Sequence, residues 1–367
     1  MCTESIATLR GLRSSRSRGA ADGERRPSLL AYWLTWRSSL LRACRTEDSP
    51  APSKGVQQRA GCRPFPEQAA LPNHYLYWLN PVSGLSRPRP PFTLVLMATR
   101  ASARRPVGTV TRGTTNPNRL RRMDRWIAAV HGAELRRAAE PVAVDLGYGA
   151  APWTAVELLG RLRTAAPRTR VVGIEIEPER VAAARPYERE GLVFRHGGFE
   201  VPVPGRPLLI RAANVLRQYD EDQVAAVWER LCARLAPAGD GSRGGLLVEG
   251  TCDEIGRRHV WVALGPEGPR TVTFATRLGS LDRPSDLAER LPKALIHRNV
   301  PGEPVHTFLR DFDRAWAAAA PYAAYGARQR WLRTVRALTA DWPVTDAPAR
   351  WRQGEVTVAW GALAPQG

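Results

Sequence analysis

The chain has 367 residues, 43% of them apolar and 24% charged, with a formal charge of +19. This length and composition are those of globular domains and exclude collagen-like or low-complexity chains. No run approaches the ~18 consecutive apolar residues that span a bilayer, and the basic, serine-rich start lacks the apolar stretch of a secretory signal; a cytoplasmic location is the expectation by elimination.

Arginine supplies all but two of the 54 basic residues, the exceptions being Lys54 and Lys293. So uniform a choice reflects composition as much as a phosphate partner. The excess is also uneven. Residues 1–96 hold 14 basic and 6 acidic residues, 97–125 hold 8 and 1, and 126–367 hold 32 and 28. A nearly balanced body therefore follows a basic leader, which a polyanion would attract. The five cysteines, Cys2, Cys44, Cys62, Cys232 and Cys252, form no CxxC pair and lie near no histidine set. Neither a metal site nor a disulfide scaffold is expected.

Proline and arginine punctuate residues 1–96, and no steady period appears there. This segment reads as an N-terminal extension, disordered or spurious. Met97, where the chain changes character, is the alternative start. Residues 97–125 read as a basic arm and the start of a capping helix, with Asn116-Pro117-Asn118 as its opening. Leu120, Met123, Ile127 and Val130 follow at helical spacing.

From 126 to 367 the chain reads as one domain. Val142–Val144 is a short apolar strand ending at Asp145 and a glycine turn. A helix over 152–163, a strand at 170–174 and a helix from Pro178 follow. Strands at 192–195 and 208–212 come next, then a helix capped by Asp220 and a strand at 246–249. Short apolar strands alternating with helices predict an α/β fold, a mostly parallel sheet with helices on both faces. Beyond 250, strands at 260–264 and 271–277 flank GPEGP and suggest an antiparallel pair; helices near 304–320 and 327–340 follow, and an alternating strand at 355–360 is compatible with an antiparallel strand at the sheet edge.

The sharpest feature is the turn after the first strand. Gly147 and Gly149 permit a tight turn and close approach of backbone to a ligand. Thirty residues after Asp145, just past the second strand, comes Glu175, placed to accept hydrogen bonds from the paired hydroxyls of a ribose.

Asp145-Leu-Gly-Tyr-Gly-Ala resembles the first motif of the class I S-adenosylmethionine-dependent methyltransferases, with Glu175 in the place of their ribose-binding acid. The resemblance covers about 116–250 and extends more loosely to 360. It implies a Rossmann-like fold, S-adenosylmethionine as cofactor, and methyl transfer to an acceptor the sequence does not name. Ala150 replaces the third glycine of that motif, which weakens a pyrophosphate-binding reading. After the third strand, where the family presents an acid to adenine, the chain has Gly197, Gly198 and Phe199, with Glu200 just beyond. The Gly198–Phe199 backbone is expected to line adenine and Asn214 to close over the sulfonium. Candidate catalytic groups are His196, Asn214 and Tyr219, with Glu249 and Asp253 as further possible bases, and nothing in the sequence selects among them. Positioning supplies much of the rate of methyl transfer, so a base is optional. A small-molecule acceptor is favoured over protein or RNA. The alternatives are an NAD(P)-dependent oxidoreductase, disfavoured by Ala150 and by the lack of a Tyr-x-x-x-Lys pair, and a non-catalytic binding or regulatory protein retaining the fold.

Overall fold

The structure is a computed structural model that describes residues 106–366 apart from 112, 114 and 240. The expectations for residues 1–96, for Met97 and for residues 97–105, 112 and 114 of the basic arm lie outside the described residues.

Eight strands form one sheet in the order β3-β2-β1-β4-β5-β6-β7-β8. The first five are β1 (Val142–Leu146), β2 (Arg170–Glu175), β3 (Leu192–His196), β4 (Leu209–Ala213) and β5 (Leu246–Cys252). These pair in parallel, as the alternation with helices requires. The remaining three, β6 (Arg258–Gly265), β7 (Gly268–Thr276) and β8 (Glu355–Ala359), all run antiparallel. The expected antiparallel pair is β6 and β7, and β8 adds to it as the antiparallel edge strand, so the extension has three strands rather than one. The pair β6 and β7 is joined by a short turn, which favours hairpin pairing over a crossover.

Side-chain alternation along the strands divides the core between two faces. On one, Ala143, Val171, Leu209 and Val248 meet α1 (Arg121–Arg137) and α2 (Trp153–Ala165) through Met123, Ile127, Leu158 and Leu162. Trp126 of α1 packs edge-on against Trp261 of β6. On the other face, Val144, Ile210, Leu247 and Val262 meet α4 (Glu221–Arg234), α5 (Pro304–Ala318) and α6 (Ala327–Leu338) through Trp228, Phe308, Phe312 and Trp331. The short α3 (Pro178–Ala184) follows β2.

Helix α1 opens later than Asn116-Pro117-Asn118 suggests. Asn118 sits in the left-handed region at φ 61°, and its side-chain oxygen accepts from Arg161 at 2.8 Å. The triplet is a turn, and regular helix begins at Arg121. The helix also runs across residue 125, so arm and domain are continuous there. Further along, Gln223 accepts the Asp220 N–H at 3.1 Å, forming the expected cap of α4.

Candidate functional site

The site lies at the C-terminal edge of the parallel strands, where β1 and β4 are neighbours and the connections leave in opposite directions. Open α/β sheets bind ligands at such a switch point. Gly147 and Gly149 both take positive φ, 67° and 90°. Glu175, almost wholly buried, accepts the Gly149 N–H at 2.9 Å and the Ile176 N–H at 3.0 Å. The guanidinium of Arg180 lies 3.6 Å from its carboxylate. The glycine turn and the acid that ends β2 are therefore in direct contact.

Asp145 does more than mark the end of a strand. Its register partner on β4 is Arg211, a fully buried arginine. Arg211 donates through Nε to Asp145 at 3.0 Å and through Nη2 to the Thr154 carbonyl at 2.9 Å. Its Nη1 makes a short ion pair with Asp124 of α1. Thr154 at the start of α2 donates its hydroxyl to Asp145 at 2.7 Å, and Arg161 pairs with Asp124 at 2.7 Å. Burial pushes the Asp124 carboxyl up while Arg211 and Arg161 pull it back. For Arg211, burial works against the charge, and the two aspartates more than offset it. This buried network clamps α1 and α2 onto β1 and β4 beneath the glycine turn. Arg211 and Asp124 went unmarked in the sequence. The available signal was a lone charge inside the apolar run LLIRAA, which demands a buried partner.

A crevice of about 350 Å³ opens above the turn. Asp145, Gly147, Gly149 and Thr154 line it together with Asn214, Arg217, Cys252, Glu254 and Arg290. Asn214, at φ 60°, accepts the Cys252 N–H at 2.9 Å and holds the ends of β4 and β5 together. Arg119, Arg217 and Arg290 bring guanidiniums to this lining. Burial, then the neighbouring Arg290, lowers Arg217, with Glu254 and Glu289 opposing. The Nε of Arg290 is buried without a hydrogen-bond partner.

The groove beside Glu175 holds part of the chain itself. Residues 107–111 cross it in extended form. The Val107 carbonyl accepts the Phe199 N–H at 2.8 Å, and the Val107 N–H donates to Glu200 at 2.9 Å. The second oxygen of Glu200 accepts the Gly198 N–H at 2.8 Å. Tyr219 accepts the Thr109 N–H at 2.6 Å, and Arg180 donates to the Thr111 carbonyl at 2.9 Å. Gly108 makes this close path possible. At φ 132°, a Cβ there would lie 3.1 Å from the Tyr219 hydroxyl. Only about 20 Å³ of open space remains in the groove.

The sequence-predicted residues therefore divide. Asp145, Gly147, Gly149 and Asn214 line the crevice, while Glu175, Gly198, Phe199 and Tyr219 line the adjoining groove. His196 lines neither. Its exposed ring bonds the Ile176 carbonyl at 2.9 Å. Glu249 is buried in the core, and Asp253 accepts the N–H groups of Ile255, Arg257 and Arg258, fixing a turn.

No family model and no curated protein matches the chain. Among matching solved structures are a riboflavin-derivative dimethyltransferase, N,N-8-amino-8-demethyl-D-riboflavin dimethyltransferase from Streptomyces davawensis, at 19% identity and TM-score 0.25, covering 32% of this chain and 33% of that one. Human N-acetylserotonin methyltransferase in complex with SAM matches at 25% identity and TM-score 0.24, covering 36% and 37%. Magnesium protoporphyrin IX methyltransferase from Synechocystis, with bound SAH, matches at 16% identity and TM-score 0.25, covering 36% and 53%. The chain thus spans between a third and about half of their lengths. Overlaps this small assign neither a family nor a reaction.

Proposed function

We propose that the protein transfers the methyl group of S-adenosylmethionine to a small-molecule acceptor. One observation carries this reading: the glycine turn and the buried acid that ends β2 meet at the β1/β4 switch point, beside an open crevice. The residues present fit the cofactor. Gly147 and Gly149 line the crevice that would take its amino-acid end, and Glu175, lining the adjoining groove, is the acid we assign to its ribose hydroxyls. The Phe199 N–H and the Glu200 carboxylate offer one donor and one acceptor, the complement of an adenine edge. Val107 engages this same pair with its own C=O and N–H.

When bound, the cofactor supplies an electrophilic methyl on a sulfonium. The chain's contribution is to orient it and to hold the acceptor in line, in a crevice whose walls limit access of water. Asn214 shapes that crevice from the β4 end. Among the described residues, no histidine or carboxylate lining the crevice is identified as a base, and the reading assigns catalysis to positioning.

Cofactor and arm make competing claims on the groove, which gives a direct test. Calorimetric titration of S-adenosylhomocysteine into the full chain should show saturable binding. In Gly108→Val, the branched side chain unseats the arm, and affinity should rise roughly tenfold, the net worth of one or two hydrogen bonds. Glu175→Ala in that background should weaken binding about tenfold or more through loss of charge-assisted bonds. No binding by either the wild type or Gly108→Val would overturn methyl transfer and favour a fold-retaining protein without turnover. Equal binding in both would leave the reading intact but show that the arm does not compete.

A further inference from the structure

A second cavity, of about 270 Å³, is lined by Arg122 and Arg125 of α1 together with Arg350, Gln353 and Glu355. Three arginines there meet one carboxylate. Arg122 and Arg125 lie three residues apart on the first turns of α1, so both project to the same side. Arg350 and Glu355 come from the segment that enters β8, and Arg350 Nε donates to the Glu355 carboxylate at 2.7 Å. Arg122 spends one Nη1 donor on the Gln353 carbonyl at 3.1 Å, while its Nε is buried with no partner. The exposed Arg125 side chain makes no hydrogen bond or ion pair among the described residues.

The local charge is out of balance. The Arg122 guanidinium is pushed down to about 10, first by burial and then by Arg121, with Glu355 opposing and Arg125 and Arg277 adding to the repulsion. Glu355 is itself pushed up to about 7 by burial, although Arg350 draws it down. The next acid, Asp346, is engaged by the Trp351 indole at 2.8 Å. Glu355 is held by Arg350 and Asp346 by Trp351, so Arg122 and Arg125 line the cavity with no carboxylate of their own among the described residues. A folded protein tolerates a half-buried, unpaired guanidinium poorly unless an anion completes it.

We infer that this cavity binds a phosphoryl group carried by a small molecule, at a site separate from the crevice over the glycine turn. Planar guanidiniums grip oxyanions with two parallel hydrogen bonds, and a doubly charged phosphoryl group offsets more of the excess than one carboxylate. The N-terminal turn of α1 adds its dipole on the same side.

Pyrophosphate is the probe, titrated calorimetrically into the full chain, with malonate as the carboxylate comparison. Saturable pyrophosphate binding is expected, with malonate at least tenfold weaker. Arg125→Gln, at a side chain that makes no hydrogen bond or ion pair among the described residues, should weaken pyrophosphate about tenfold, the effect of losing a hydrogen bond to a charged group. Arg122→Gln should weaken it at least as much, and Arg290→Gln in the crevice should leave it unchanged. Absence of saturable binding, or equal affinity in Arg125→Gln, overturns the site. Loss in Arg290→Gln alone places the anion in the crevice instead. Malonate binding as tightly as pyrophosphate overturns the phosphoryl preference.

Discussion

Arg211→Met is expected to destabilise the protein by about 3–5 kcal/mol, the cost of stranding buried charges whose partner is gone. The substitution fills much of the same volume, so little of the effect comes from a cavity. What it removes is the counter-charge between Asp124 and Asp145, both almost wholly excluded from water. Against a total stability of about 5–15 kcal/mol, such a loss brings many domains near unfolding. Adding Asp124→Asn should restore part of the loss, because one of the two stranded carboxylates disappears. Urea denaturation of the single and double variants reads both effects. A single variant within about 1 kcal/mol of the wild type would show that the network contributes far less than such buried pairs do.

The second large effect has the opposite sign. Glu249 on β5 is fully buried on the α4 side, its register partners being Ala212 and Val262. Neither carboxyl oxygen has a hydrogen bond of ordinary geometry. Burial pushes its pKa from 4.5 up to about 8, with the nearby Trp228 indole offsetting only a little. The folded protein thus keeps this group neutral while the unfolded chain ionises it. Stability is full below pH 4.5, falls as pH rises, and levels off above about 8. At ~1.36 kcal/mol per pH unit, the deficit reaches on the order of 3 kcal/mol by pH 7. Glu249→Gln, close in shape and uncharged, removes that dependence. It should match the wild type near pH 4.5 and exceed it by that amount at pH 7. Denaturation midpoints at four or five pH values test this, and parallel pH profiles for the two proteins would refute it.

How far the sequence exposed this architecture depended on the range of each interaction. The strands β1 to β5 and their helices announce themselves through local period, because each must bury its own face. The turn at Gly147 and Gly149 is equally local, whereas the bond from the Gly149 N–H to the Glu175 carboxylate shows only in the folded chain. The order β6-β7-β8 was not legible beyond the hairpin. Pairing of β8 with β7 joins residues some eighty positions apart, and no short pattern encodes that choice. Arg211 stayed hidden for a related reason: its partners come from α1 and β1, brought together only by the finished sheet. The path of residues 107–111 was invisible too. It has no period, and its hydrogen bonds follow the shape of a groove made by other segments.

That path has a consequence for any ligand of the groove. A competitor attached to the same chain has a fixed local concentration, so dilution cannot dislodge it. The measured dissociation constant is then the intrinsic one divided by the fraction of molecules with the groove clear. Docking favoured by about 1.4 kcal/mol leaves roughly one molecule in ten clear and shifts every nucleoside ligand by the same factor. Discrimination among such ligands is untouched, while the threshold concentration at which any of them occupies the protein is raised.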